Sequence, residues 1–325
     1  MMSRYRKFPV ASRETLSFMQ VHKALDQLPD FRNAVITIGT FDGVHKGHQE
    51  IIASMKEVAA ETGGETVILT FHPHPRQVVR AGEQLALLNT LSEKILLLDA
   101  QGIDHLVVIP FTLEFSQLSA PDYIQHFLVR YFHPHTIIIG YDHRFGKNRS
   151  GDFRLLEEQG DVHGFRVREI PERVLDLLKV SSTRIREALL SGQPALAADL
   201  LGYKYFFEGV VVRGQQLGRT LGFPTANLRV EDEEKLIPVN GVYAVRVEAG
   251  APRAGMMNIG VRPTVGGLGR VIEVHLLEYH GDLYGQTLRV HLEAYLRPEQ
   301  RFDGLEALKT QLERDRVNTL NILQP

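Results

Sequence analysis

A short apolar run, Ala34 to Ile38, leads into the glycine-bearing segment Gly39-Thr40-Phe41-Asp42-Gly43-Val44-His45-Lys46-Gly47-His48 and then into an amphipathic stretch, Gln49 to Ala60. No other feature constrains the fold as strongly. Five apolar residues bounded by glycine fit a strand buried on both faces, whereas Ile51, Ile52, Met55 and Val58 recur with the spacing of one helical face. A buried strand feeding a helix through a tight glycine turn is the repeating unit of a parallel sheet covered on both sides. The unit recurs up to about residue 190: Thr66 to Phe71, His105 to Pro110, Thr136 to Gly140 and Phe165 to Ile170 read as strands. Ser92 to Gln101, Ala120 to Phe132 and Thr183 to Leu190 supply the helices between them. Ligands of such open sheets bind beyond the carboxyl ends of the strands, so the polar loops after Ile38, Phe71 and Ile139 are expected to share one crevice.

The first of those loops carries chemistry. His45 and His48 stand three residues apart, a spacing that puts both on one face of the loop and first helical turn. Backbone N–H groups left free at a helix start attract anions, and a triphosphate suits that place. On the pattern alone the pair is equally open to being metal ligands or capping and surface histidines. Metal binding is the weaker of these, because the chain has no cysteine and lacks the H-E-x-x-H order of a zinc hydrolase. With its preceding G-x-F-D-G, the pair resembles the H-x-G-H signature of the nucleotidyltransferase superfamily.

Length and charge narrow the partners. The 325 residues are enough for two domains, and 43% hydrophobic content gives each a core. Lys and Arg total 37 against 39 Asp and Glu, so no basic field draws the chain to nucleic acid or an anionic membrane. Met1 to Glu14 has no apolar stretch of a signal peptide, and no later run reaches membrane-spanning length. Without cysteine there are no disulfides, which fits a reducing compartment. The expectation is a cytoplasmic protein that acts on small molecules, with no obligate protein partner.

The texture changes after Ser191-Gly192-Gln193-Pro194, so residues 1–192 form one domain, 193–202 a linker and 203–325 a second domain. In the second domain strand alternation dominates. Tyr243, Val245 and Val247 face one way and Ala244, Arg246 and Glu248 the other, and Val271 to Tyr279 and Leu288 to Leu296 behave similarly. A small antiparallel barrel or sandwich is expected, closed by a helix from about Gly304 to Arg314 with Leu305, Leu308 and Leu312 inward.

Three further segments hold candidate site residues. Val180-Ser181-Ser182-Thr183-Arg184-Ile185-Arg186 combines hydroxyls and arginines at a helix start; capping explains any single serine there, but the two arginines make a phosphate clamp the better account. Phe71-His72-Pro73-His74-Pro75-Arg76 and Gly140-Tyr141-Asp142-His143-Arg144-Phe145-Gly146 are open between rigid turns and binding loops. In the second domain Gly214, Gly218, Arg219 and Gly222 precede Phe223-Pro224-Thr225-Ala226-Asn227. Such a loop either wraps phosphates with its N–H groups, Thr225 and Asn227 offering oxygens to Mg²⁺, or is only a glycine-rich hairpin.

Taken in order, these segments resemble the bacterial bifunctional riboflavin kinase/FMN adenylyltransferase family from about Val35 to Arg316. The resemblance implies a doubly wound α/β nucleotidyltransferase domain followed by an antiparallel β-barrel kinase domain. It implies that Gly39, Phe41, His45, His48, Ser182, Thr183 and Arg186 hold ATP phosphates, and that Asp142 and His74 contact FMN or nucleotide. It further implies that Gly214, Gly218, Arg219, Gly222, Thr225 and Asn227 hold a second ATP with Mg²⁺, that Glu273 is the catalytic base, and that Arg297 belongs to the flavin pocket. His143 stands where most relatives carry Phe. The expected reactions are riboflavin to FMN and then FMN to FAD, each consuming ATP. A nucleotidyltransferase for another phosphorylated precursor and a flavin-sensing protein without turnover are the rival readings; the complete kinase signature opposes the first and the intact catalytic residues the second.

Overall fold

A computed structural model describes residues 19–80, 85–171, 180–214, 217–264 and 267–323; the N-terminal segment Met1 to Glu14 lies outside the described residues. The first half is a six-stranded, all-parallel sheet in the order β1-β4-β3-β2-β5-β6. Its strands are Gln20–His22 (β1), Val35–Ile38 (β2), Thr66–His72 (β3), His105–Pro110 (β4), Thr136–Gly140 (β5) and Arg166–Ile170 (β6). All four residues of β2 and all five of β5 are buried, as expected of central strands covered on both faces. Two apolar clusters do the covering. Met55, Ile52 and Leu98 lie on one face with Ile68 and Leu106, and Ile124, Phe127 and Leu156 lie on the other with Ile36, Leu69 and Ile137.

From β2 the chain winds outward through β3 and β4 on one side and through β5 and β6 on the other. The strand order therefore reverses between β2 and β5, and the crevice beyond their carboxyl ends is the natural ligand site of such a sheet. The H-x-G-H loop leaves β2 there, and the segment Gly140–Gly146 leaves β5 beside it.

The second half is a closed antiparallel barrel, β10-β11-β8-β7-β12-β9. Its strands are Phe206–Val212 (β7), Ala226–Arg229 (β8), Gly241–Ala249 (β9), Ala251–Thr264 (β10), Gly267–Leu276 (β11) and Thr287–Arg297 (β12). Phe207, Tyr243, Val245, Met257, Ile259, Val274 and Val290 fill its interior. Residues 193–202 are not an extended tether: Pro194–Leu201 is a helix closed by Gly202 in the left-handed conformation. Ala197, Leu200 and Leu201 of this helix and Leu88 of the first half belong to the same apolar cluster as the barrel interior.

Two local expectations are corrected. The stretch 120–132 is helical, but its middle, Tyr123–Val129, is wound as a π-helix. The C-terminal helix runs Leu305–Leu323, and Leu305 is exposed at 56% rather than inward. The helix buries Asp315, Thr319 and Leu323, spaced by four and so on one face, while Leu312 and Leu320 pack over Phe223, Met256 and Leu277 on the outside of the barrel.

Candidate active sites

The loop between β2 and the helix Lys46–Thr62 (α1) is built from strained backbone. Phe41 (φ 48°), Gly43 (φ 91°) and Val44 (φ 37°) all lie in the left-handed region, which a β-branched valine adopts only when its surroundings enforce it. Space enforces glycine at 43 as well, since a Cβ there would come 2.7 Å from Leu88 Cδ1. Asp42 is the hub of the loop. Its carboxylate accepts from the backbone N–H groups of Leu88 (2.9 Å) and Asn89 (3.3 Å) and pairs with the Arg186 guanidinium, while its carbonyl accepts from Ser182 Oγ at 2.9 Å. Two motifs about 140 residues apart are thereby clasped together. Burial pushes the Asp42 carboxyl up, against the pull of Arg186 and Lys94.

His45 caps α1. Its Nδ1 accepts from the His48 N–H at 3.4 Å, which fixes the neutral ring with its proton on Nε2. The two imidazoles stack with centroids 3.7 Å apart, and Phe41 lies 4.7 Å from the His48 ring. Burial pushes His45 down to about 4; burial, then His45 and Lys94, hold His48 well below its ordinary value. Both rings are neutral at pH 7. His48 Nδ1 is a buried polar atom with no protein partner.

Lys94, on the helix Leu91–Asp99 (α3), is a component that the sequence did not reveal. Its buried ammonium donates to the Thr40 carbonyl at 2.7 Å, and burial lowers it to about 8 although Asp42 pulls it up. It is thus a cation placed against the histidine loop. His74 caps the short helix Pro75–Val79 (α2), accepting from Arg76 N–H, and burial with Lys94, Arg186 and Arg76 lowers it to about 4. Ser181, not Ser182, caps the helix Ser182–Leu190; Thr183 is exposed on its first turn. Arg186 is partly committed, its Nε donating to the Ala86 carbonyl at 2.7 Å. Asp142 is exposed after β5, and His143 stacks 6.0 Å from Phe145 with its Nε2 buried and unpartnered. Gly39 and Phe41 line the loop itself, the ring 3.2 Å from where a Gly39 Cβ would stand.

The second constellation lies on the outside of the barrel. Glu273 on β11 is in register with Asn227 on β8 and with Asn258 on β10, so an amide flanks the carboxylate on each side. Their neighbours Ile272, Val274, Leu228, Met257 and Ile259 point into the barrel. A side chain at Gly214 would collide with the Asn227 amide, and one at Gly218 would collide with the Phe223 carbonyl, so both glycines permit close passage of the loop. Gly222 has φ +84°, and Arg219 is exposed beside it. Thr225 Oγ1 lies near Gly218, and Pro224 is held by its carbonyl against His275 Nδ1 at 2.7 Å. Asn258 was not singled out from the sequence; only strand register brings it to Glu273.

Arg297 sits at the end of β12, where its guanidinium forms a two-pronged pair with the buried Asp315 (3.1 and 2.7 Å) and lies 5.7 Å from the Phe302 ring. It fastens the C-terminal helix to the barrel. A cleft of about 400 Å³ at the junction of the halves, lined by Leu97, Tyr203, Phe206, Arg289 and His291 among others, contains none of the motif residues. Among the described residues no cluster of three or more His, Asp or Glu has the geometry of a metal site, and no helix is long and apolar enough to cross a membrane.

Comparison with known proteins bears on both constellations. The FAD synthetase family model matches residues 27–184 and the riboflavin kinase model residues 201–323. A bifunctional riboflavin kinase/FMN adenylyltransferase of Escherichia coli K12 is 38% identical over 295 residues, 90% of this chain and 93% of the relative. The protein of that description from Pseudomonas fluorescens is 40% identical over 300 residues, 91% of this chain and 96% of the relative. A crystal structure of a Streptococcus pneumoniae protein described as a macrolide-efflux protein superposes with a TM-score of 0.84 at 29% identity, covering 94% of this chain and 99% of that one.

Proposed function

The chain belongs to the bifunctional riboflavin kinase/FMN adenylyltransferase family, and from that premise we propose how its residues divide the work. The protein is an enzyme that phosphorylates riboflavin to FMN and joins FMN to AMP to give FAD. In the proposed division residues 1–192 carry adenylyl transfer, 203–325 carry the kinase, and 193–202 join them. The observation that carries this reading is the separation of the two constellations, stacked neutral histidines at the sheet's switch point and a carboxylate between two amides on the barrel.

Their chemistry differs accordingly. FMN brings an ionised phosphate whose oxygen attacks the α-phosphorus of ATP, expelling pyrophosphate, so no base is required. What is required is alignment and stabilisation of the charge that builds on the phosphoryl oxygens. The Nε2–H of neutral His45, the His48 ring, the start of α1, Ser182, Thr183 and the free edge of Arg186 supply donors to the phosphates, and the Lys94 cation adds positive potential from behind the loop. Gly39 and Phe41 shape the floor, and His74 and Asp142 border the acceptor side.

Riboflavin instead presents a neutral 5′-hydroxyl that must lose its proton as its oxygen attacks the γ-phosphorus and ADP departs. Glu273 takes that proton. Gly214, Gly218, Arg219 and Gly222 hold the phosphates. Thr225 and Asn227 offer hard oxygen donors where the Gly214 cradle leaves room, a set that suits Mg²⁺ shared with ATP, since that ion rarely takes an all-protein cage. Mg²⁺, when bound, neutralises charge on the transferred phosphoryl group. Arg297 serves the flavin pocket through its hold on the C-terminal helix. A cytoplasmic setting, and action without an obligate protein partner, complete this reading; the cysteine-free composition fits a reducing compartment.

Separable lesions test the division. Glu273→Ala should lower FMN formation by about 10²- to 10⁴-fold, the usual worth of a general base, while FAD forms normally from supplied FMN. His48→Ala should do the reverse, losing about 10²-fold or more in FAD formation. A folded variant that lost both steps would refute the assignment.

A further inference from the structure

The H-x-G-H loop is held from the other domain. Asp42 accepts from the backbone of Leu88 and Asn89, so the strap Leu87–Asn89 fixes the loop. That strap is itself paired to the barrel half: Leu87 N–H donates to the Glu234 carbonyl at 2.6 Å, and Leu236 N–H donates to the Leu87 carbonyl at 2.8 Å. Between these bonds the ammonium of Lys235 enters the first domain. It donates to the Leu88 carbonyl at 2.7 Å and to Glu93 Oε2 at 2.5 Å, with the Tyr205 ring 4.6 Å from it. Lys235 and Glu93 have 0% and 1% side-chain exposure. Glu93 Oε2 also accepts from Thr90 N–H at 2.9 Å, closing the cap of α3, the helix that delivers Lys94 to the Thr40 carbonyl. Two more contacts tie this region together: Tyr203 Oη donates to the Gly43 carbonyl of the loop (2.8 Å), and Gln49 Nε2 on α1 donates to the Leu201 carbonyl (2.8 Å).

A buried ion pair of this kind is weak evidence for stability, because apolar replacements of similar volume are often neutral or better. Its presence in an interface that already has an apolar core leaves room for another role. The geometry supplies one, since the two hydrogen bonds of the Lys235 ammonium end on the strap, at the Leu88 carbonyl, and on the helix cap beside it, at Glu93. We propose that Lys235, although it belongs to the kinase half, is a positioning residue for adenylyl transfer, clamping the Leu87–Asn89 strap and the start of α3 so that Asp42 and Lys94 hold the histidine loop in its reactive shape. The inference rests on the assignment of His45 and His48 to that reaction.

Three enzymes in full-length form test it: Lys235→Met, Lys235→Met with Glu93→Gln, and His48→Ala as control. Gln at 93 keeps an acceptor for Thr90 N–H and removes the orphaned charge. Lys235→Met should lower both the melting temperature and kcat for FAD formation from FMN. The double variant should recover much of the melting temperature, while its kcat for FAD formation stays about tenfold or more below wild type, as expected when reacting groups are slightly misplaced. FMN formation from riboflavin, measured on the same samples, should stay within about twofold of wild type and so report an intact barrel. Recovery of FAD formation in step with melting temperature would make the pair merely structural and overturn the proposal. So would undiminished FAD formation in Lys235→Met, or an equal fall of both activities. If His48→Ala retained FAD formation, the site assignment would fail instead, and the two failures are thereby told apart.

Discussion

At the scale of single residues, the proposed adenylyl site rests on imidazoles kept neutral by burial. His45 sits at about 4 against an ordinary 6.5. Below pH 6.5 the unfolded chain takes up a proton at this position that the folded protein refuses, so stability declines as pH falls from 6.5 towards 4 and the decline from this group ends near 4. At about 1.4 kcal/mol per pKa unit, the penalty at pH 5 is roughly 2 kcal/mol. His45→Asn keeps a helix-capping side chain and removes the titration. Its unfolding free energy in urea should therefore fall between pH 7 and pH 5 by about 2 kcal/mol less than that of wild type; equal falls would show that His45 titrates normally. The histidine pair and the hydroxyl–arginine segment that the structure brings together at Asp42 stood out by their motif spacing, whereas Glu273 stood out only through the family resemblance. Asp42, Lys94 and Asn258 were not read as parts of the sites, because each acts through partners far away in sequence: Leu88 and Arg186 for Asp42, Thr40 for Lys94, and β11 register for Asn258.

At the scale of elements, a buried ion pair helps to fasten the C-terminal helix, beside its apolar packing and the Arg246 guanidinium that donates to the Leu323 carbonyl. Asp315 is 1% exposed and holds Arg297 with both carboxylate oxygens, so Asp315→Ala leaves a largely buried guanidinium without its counter-charge. Breaking such a pair from one side costs about 3–5 kcal/mol. A drop of that size in urea unfolding, with slower FMN formation as the helix loosens over the barrel, is the expected result; a change below about 1 kcal/mol would place the fastening elsewhere. Strands were the most readable elements. His105–Pro110 and Thr136–Gly140 fall where their apolar runs do, since a strand buried on both faces has no polar phase to blur its ends. Gln20–His22 escaped notice because it is short and mostly exposed. The π-wound turns at Tyr123–Val129 left no mark either, as the same side-chain periodicity serves a regular helix at that length. Leu305 misled for a related reason: a leucine at helical spacing is apolar whether or not the helix has a surface under its first turn.

At the scale of the whole molecule, the two halves share a core. Leu88 from the first half is fully buried with Leu200, Leu201 and Tyr205 and the barrel's own residues. Thermal unfolding followed by circular dichroism should thus show one transition, and Leu88→Ala should lower its midpoint, at a stability loss of about 2–5 kcal/mol; two transitions of which only one moves would mean independent domains. That sharing was hidden in the sequence, where residues 193–202 look like a tether and nothing marks Leu88 as belonging to the barrel. The resemblance of the motifs, taken in order, to the bifunctional family, by contrast, already implied two sites and a sequence of two reactions. The most direct test of that claim follows the flavins chromatographically over time after purified protein is mixed with riboflavin, ATP and Mg²⁺. FMN that rises and then gives way to FAD is the predicted course. FMN that accumulates without FAD would contradict the histidine site, and riboflavin that stays unchanged would contradict the account as a whole.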